Sequence, residues 1–132
     1  MKIAIYDDDD AFRELIHIYL EHHHSPNIKG YDRYTEPPEE DVDVFMLDYD
    51  NPYGVNGAEF LRQYKDIITS DKRILMSGAY GWQNSGLDGI LLQKPFELEK
   101  LGEIIEIFEV KNGYTSNKVH ACKCKLRNSS NE

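Results

Sequence analysis

Five short apolar runs, separated by polar or amphipathic stretches, organise the chain. Lys2 to Tyr6 is an apolar run stopped by acid and reads as a strand, and Phe12, Leu15, Ile16, Tyr19, Leu20 and His23 then recur at helical spacing. Ser25-Pro26 ends that pattern, and a weak strand is predicted from Ile28 to about Tyr34. The following Glu36-Pro37-Pro38-Glu39-Glu40 leaves little room for a second helix, because proline lacks a backbone donor and disfavours helical geometry in the residue before it. Val42 to Leu47 is apolar on both faces, as a central parallel strand is. After the turn Asn51-Pro52-Tyr53-Gly54, a helical stripe is formed by Phe60, Leu61, Tyr64, Ile67 and Ile68. Arg73 to Met76 and Gly89 to Leu92 are two further strands, and the stretch AYGWQNSGLD between them is too glycine-rich for a full helix. Leu98, Leu101, Ile104, Ile105 and Phe108 mark a final amphipathic helix.

Five strands alternating with helical segments predict an α/β fold with a doubly wound parallel sheet, whose site lies at the carboxyl ends of the strands. That rule gathers distant residues. Asp7 and Asp8 follow the first strand, Asp48 ends the third, Ser77 ends the fourth and Lys94 ends the fifth, so all five converge on one rim. Crowded carboxylates repel one another unless a cation joins them, and an oxygen-only set with open positions suits Mg²⁺. One carboxylate can attack phosphorus to form an acyl phosphate, while the cation, the ammonium and the hydroxyl take up charge on the transferring oxygens. Each feature alone has a plainer use: an acidic run suits a helix start, a serine suits a cap, and Lys94-Pro95-Phe96 suits a strand exit. Only their shared position carries the chemistry.

Composition narrows the alternatives. With 132 residues, 40% hydrophobic and 30% charged, the chain reads as one globular domain. The net charge of -9 argues against direct DNA binding by the body of the fold. Its apolar runs are far shorter than the roughly 18 residues of a membrane span, so no membrane insertion is expected and the reading is cytoplasmic. Before Lys111 there are ten basic against 23 acidic residues, whereas from Lys111 onward five are basic and one is acidic. The expected organisation is a domain over 1–111 and a flexible basic tail over 112–132. In that tail His120, Cys122 and Cys124 are soft ligands too few to close a zinc site, and two cysteines make no disulfide framework. His22, His23 and His24 are consecutive, which predicts a solvated helix end rather than a metal grip. No GxxxxGK[ST] or GxGxxG motif occurs.

Four pieces in order, Tyr6-Asp7-Asp8-Asp9, Phe45-Met46-Leu47-Asp48 with Pro52, Leu75-Met76-Ser77-Gly78 and Lys94-Pro95-Phe96, resemble the receiver domain of two-component response regulators over about residues 1 to 110. The resemblance is to stand-alone, chemotaxis-type receivers. It implies a flavodoxin-like sheet of order 2-1-3-4-5, from which this chain departs by second and fourth helices shortened by its prolines and glycines. It further implies Asp48 as phosphoacceptor, and Mg²⁺ held by Asp7 or Asp8 with Asp48 and the main-chain carbonyl of Asp50. Ser77 becomes the switch hydroxyl and Lys94 the phosphate partner, ahead of a cis bond to Pro95. The implied partners are a sensor histidine kinase or phosphotransfer protein and a downstream protein target, with no enzymatic turnover beyond self-catalysed phosphotransfer and dephosphorylation. Three departures stand out: the fourth crossover is glycine-rich, Leu91 occupies the place of the switch aromatic with Tyr80 or Trp82 as substitutes, and the turn after Asp48 has an extra residue before Gly57. These departures leave room for a phosphorylation-independent docking module. A haloacid-dehalogenase-type phosphatase is a further alternative, since Asp48-Tyr49-Asp50 also resembles its nucleophile strand, but there the acidic pair follows the nucleophile.

Overall fold

The computed structural model describes residues 1–24, 26–32, 34, 37–49, 57–78 and 88–114. Strands β1 (Lys2–Tyr6), β2 (Asn27–Tyr31), β3 (Val44–Asp48), β4 (Arg73–Ser77) and β5 (Ile90–Gln93) form one sheet in the order β2-β1-β3-β4-β5, every pair parallel. Helices α1 (Asp10–His24), α2 (Gly57–Gln63) and α3 (Leu98–Lys111), with a short 3-10 helix at Ser70–Lys72, complete the described elements. The predicted fold class and strand order are those observed.

Strand periodicity divides the core into two layers. Ile3, Ile5, Val44, Met46, Ile74, Met76 and Leu92 point to one face, where Ile16 and Leu20 of α1 and Leu101, Ile104, Ile105 and Phe108 of α3 cover them. Ala4, Tyr6, Phe45, Leu47 and Leu75 point to the other, under Phe60 and Leu61 of α2 and Ile68. Both faces of the central strands are therefore buried, which is why β3 is buried at all five positions.

The second crossover differs most from a regular unit. β2 stops at Tyr31, short of the predicted Tyr34, and no helix lies between β2 and β3 among the described residues. Tyr34, Pro38 and Val42 are instead buried singly. Glu39 pins this segment to the strands by accepting from Lys2 and, at 3.1 Å, from Lys29. The hydrogen bond from Lys2, followed by that from Lys29, holds the Glu39 carboxyl below its ordinary range, and the same contact raises Lys2 above its own.

The third unit is also shorter than its apolar stripe. α2 ends at Gln63, and the chain continues in turns in which Ile67 and Ile68 both donate backbone hydrogen bonds to the Tyr64 carbonyl, at 3.0 and 2.9 Å. Ile68 still reaches the core. Gly89, at φ 117°, opens β5 in a conformation that L side chains rarely adopt.

One sequence expectation is overturned at the far end of α1. His24 is not solvated: its Nδ1 lies 2.7 Å from Glu109 Oε1 of α3, and both side chains are buried. Consecutive residues on a helix diverge by about 100°, so His22 faces solvent while His24 meets the neighbouring helix. The expected fourth helix, Tyr80, Trp82, and the tail with His120, Cys122 and Cys124 lie outside the described residues. No described helix is long and apolar enough to cross a membrane.

Candidate functional site

The run Asp7 to Asp10 splits into two jobs. Asp9 is the helix start: its Oδ1 accepts the Phe12 backbone N–H at 3.0 Å, and its carbonyl accepts that of Arg13. Asp10 pairs with Arg13 in the first turn. Asp7 and Asp8 are left beyond the end of β1, facing the rim.

Asp7 is wholly buried and held from several sides. Its backbone N–H donates to the Tyr31 carbonyl at 2.9 Å, its carbonyl accepts from Arg13, and its Oδ1 accepts the Asp9 N–H at 2.9 Å. Its Oδ2 accepts from the Lys94 ammonium at 2.6 Å. Lys94 Nζ also lies 3.8 Å from Asp48 Oδ2, so one cation spans the ends of β1 and β3 from a position just past β5. The ammonium sits 4.5 Å from the centre of the Phe12 ring, and Phe12 in turn packs edge-on against Phe96. The Lys94-Pro95 bond is cis, and Lys94 N–H donates to the Ser77 carbonyl at 2.8 Å.

Asp48 closes β3 with only 6% of its surface exposed. Around it the chain is fixed on three sides. Tyr49 N–H donates to the Met76 carbonyl at 2.8 Å, continuing the β3–β4 ladder. Tyr34 Oη donates to the Asp48 carbonyl at 2.6 Å. A Cβ on Gly57 would lie 2.9 Å from the Tyr49 carbonyl oxygen, so only glycine lets the first turn of α2 come this close.

One carboxylate oxygen from each of Asp7, Asp8 and Asp48 lies within 4.8 Å of the others, the separation of ligands to a shared ion. Three carboxylates face one ammonium here. Like charges about 4 Å apart repel by about 4 kcal/mol at an effective dielectric of 20, so the set has an electrostatic need for further positive charge. The donors are all oxygen, two of them buried and Asp8 half-buried, which fits a hard divalent cation that retains water. Ser77 is buried at the end of β4, on the same rim.

The structure thus brings Asp7, Asp8, Asp48 and Lys94 into one constellation and sets Ser77 beside it, while Asp50 lies outside the described residues. Two contributors escaped sequence reasoning. Phe12 carries the helical stripe of α1, so nothing distinguished it from a core residue. Tyr34 sits in an irregular crossover where no period applies.

No family model matches the chain, and no curated protein does. Solved structures do match. A response regulator receiver domain protein from Clostridium thermocellum aligns at TM-score 0.71 and 21% identity, covering 87% of this chain and 98% of that one. A CheY-like receiver domain protein from Methanospirillum hungatei aligns at TM-score 0.69 and 22% identity, covering 86% and 97%. The beryllofluoride-activated DrrB receiver domain aligns at TM-score 0.66 and 24% identity, covering 81% and 95%. The chain is similar to these receiver domains in fold.

Proposed function

We propose that this receiver-fold chain is a phosphoacceptor response regulator, taking a phosphoryl group onto Asp48 with Mg²⁺ and signalling through protein contacts. The observation that carries this reading is the cluster of Asp7, Asp8 and Asp48 with Lys94 at the strands' carboxyl ends. A sheet alone hosts many functions, but this cluster has the parts that phosphoryl transfer to a carboxylate needs.

Asp7, Asp8 and Asp48, with the main-chain carbonyl of Asp50, would hold the ion. When bound, Mg²⁺ supplies positive charge to the phosphoryl oxygens and to the acidic cluster. An Asp48 carboxylate oxygen attacks phosphorus and forms the P–O bond. The P–N bond of a donor phosphohistidine breaks, and the imidazole nitrogen retains the electron pair and takes a proton. Lys94 offers its ammonium, and Ser77 its hydroxyl, to the transferred oxygens. Burial of Asp48 restricts the water that would hydrolyse the acyl phosphate.

The partners on this reading are a sensor histidine kinase or phosphotransfer protein and a downstream protein target. The net charge of -9 argues against a duplex being gripped by the body of the fold. Signalling by group transfer, without turnover of an external substrate, is the activity. Incubation with acetyl phosphate and Mg²⁺ followed by intact mass measurement tests it: the expected result is one phosphoryl group per chain, lost in Asp48→Asn. An unlabelled wild-type chain would favour the docking module. Repeated turnover of phosphomonoesters would favour the hydrolase.

A further inference from the structure

We propose that Tyr34 is a positioning residue for the acceptor: its hydroxyl, held by an aromatic stack in the second crossover, fixes the main chain of Asp48 for phosphoryl transfer. This inference rests on the reading of Asp48 as phosphoacceptor and adds to it a residue that the site chemistry alone does not select.

The contact is short and shielded. Tyr34 Oη donates to the Asp48 carbonyl at 2.6 Å, and Tyr34 is only 2% exposed. The β1–β3 register ends at Tyr6 opposite Leu47, so Asp48 lies one residue beyond its last partner on β1. Tyr34 supplies a hydrogen bond to the main chain at that point. A buried hydrogen bond of this kind locates a peptide group within a few tenths of an ångström, and the Asp48 side chain takes its origin from that peptide.

The hydroxyl is itself located by its ring. Tyr34 stacks on Tyr6 with centroids 5.3 Å apart and an interplanar angle of 20°, and it packs against Phe60 at 4.7 Å. Tyr6 stacks in turn on Tyr31 at 4.5 Å, and Phe60 meets Tyr64 at 5.1 Å. The ring is therefore clamped between β1 and α2, with β2 behind it. Offset and tilted aromatic pairs of this geometry are favourable beyond their buried area, and tyrosine has only two side-chain torsions to fix. Through Tyr34, elements that do not touch the phosphoryl group determine where the nucleophile stands. A small displacement of a reacting atom is costly in rate.

Tyr34→Phe keeps the ring and removes the hydroxyl, so the stack and fold are preserved. The variant, the wild type and Lys29→Ala, a control that loosens the same crossover at its surface ion pair, are phosphorylated with acetyl phosphate at saturating Mg²⁺, with rates counted per folded molecule. Beryllofluoride affinity is measured alongside. The expected result is a rate at least tenfold lower for Tyr34→Phe at saturating donor, weaker beryllofluoride binding, and wild-type behaviour for Lys29→Ala. A purely structural hydrogen bond would lower the unfolding midpoint and leave both readouts unchanged, which would overturn the proposal. Equal slowing in both variants would also overturn it, because any loosening of the crossover would then suffice. If the wild type itself takes up no phosphoryl group, the phosphoacceptor reading fails, and the positioning role fails with it.

Discussion

Lys94 and Asp7, 87 positions apart in the chain, are joined by a hydrogen-bonded ion pair of 2.6 Å, with the Asp7 side chain fully buried. The ammonium therefore already supplies a positive charge to the acidic cluster where a divalent cation would bind. On the proposed function, the lysine that serves the phosphoryl group would also share its carboxylates with the metal.

That sharing has a measurable consequence. Lys94→Met removes the competing charge, so Mg²⁺ binds about tenfold more tightly, equivalent to about 1.4 kcal/mol. On the proposed function, phosphorylation is expected to slow nonetheless, since the transferred oxygens would lose their ammonium. Calorimetric titration with Mg²⁺, paired with rates from acetyl phosphate, checks both directions; equal Mg²⁺ affinity in the two proteins would contradict the competition.

The repulsion among Asp7, Asp8 and Asp48 gives a second prediction. Asp8 is the half-buried member, so Asp8→Asn relieves repulsion at little desolvation cost. In the presence of a chelator the variant is expected to be more stable than wild type by about 1 kcal/mol, a shift of a few degrees in the unfolding midpoint. If the cluster holds Mg²⁺ as proposed, wild type is expected to gain about 2.7 kcal/mol at Mg²⁺ one hundred times its Kd, and Asp8→Asn to lose most of that gain. Thermal unfolding with and without Mg²⁺ measures the crossing.

Glu39 sets a pH dependence of stability away from the site. Its folded pKa lies below the ordinary 4.5 because Lys2 and then Lys29 donate to it. The unfolded chain therefore binds a proton more readily, and the strap's contribution is present above pH 4.5 and fades as pH falls through the lower folded value. Glu39→Gln should flatten the acid limb of the stability curve and leave neutral phosphorylation unchanged. Denaturant titrations across that range provide the check.

The buried pair of His24 and Glu109 joins α1 to α3. Removing one partner strands the other in a closed space, so His24→Ala is expected to cost about 3 kcal/mol, whereas His24→Leu combined with Glu109→Met is expected to be close to neutral. Chemical unfolding of single and double variants separates the two cases.

Regular parts of this fold were legible because their burial repeats. Strands β1, β3 and β4 are recognisable as apolar runs, and α1 and α3 as helical stripes, since each packs against a continuous surface. The rim residues were legible for a related reason: a parallel sheet sends the ends of all its strands to one side, so Asp7, Asp8, Asp48, Ser77 and Lys94 are gathered by chain order alone. Irregular packing left no such trace. The acidic run reads as one feature, yet Asp9 and Asp10 cap and neutralise the first turn of α1 while Asp7 and Asp8 reach the site. His24 reads as surface because it closes a run of three consecutive histidines at a helix end.

The amino-acid sequence by itself determined the α/β class and the placing of Asp7, Asp8, Asp48, Ser77 and Lys94 at or just past strand ends, because hydrophobic period and strand-end position are local properties of the chain. Tertiary structure alone decided that Lys94 bridges Asp7 and Asp48, that His24 meets Glu109, and that Tyr34 packs into the second crossover and donates to the Asp48 carbonyl. Those contacts join residues far apart in sequence through side-chain direction and ring packing, and such geometry exists only once the elements have closed on one another.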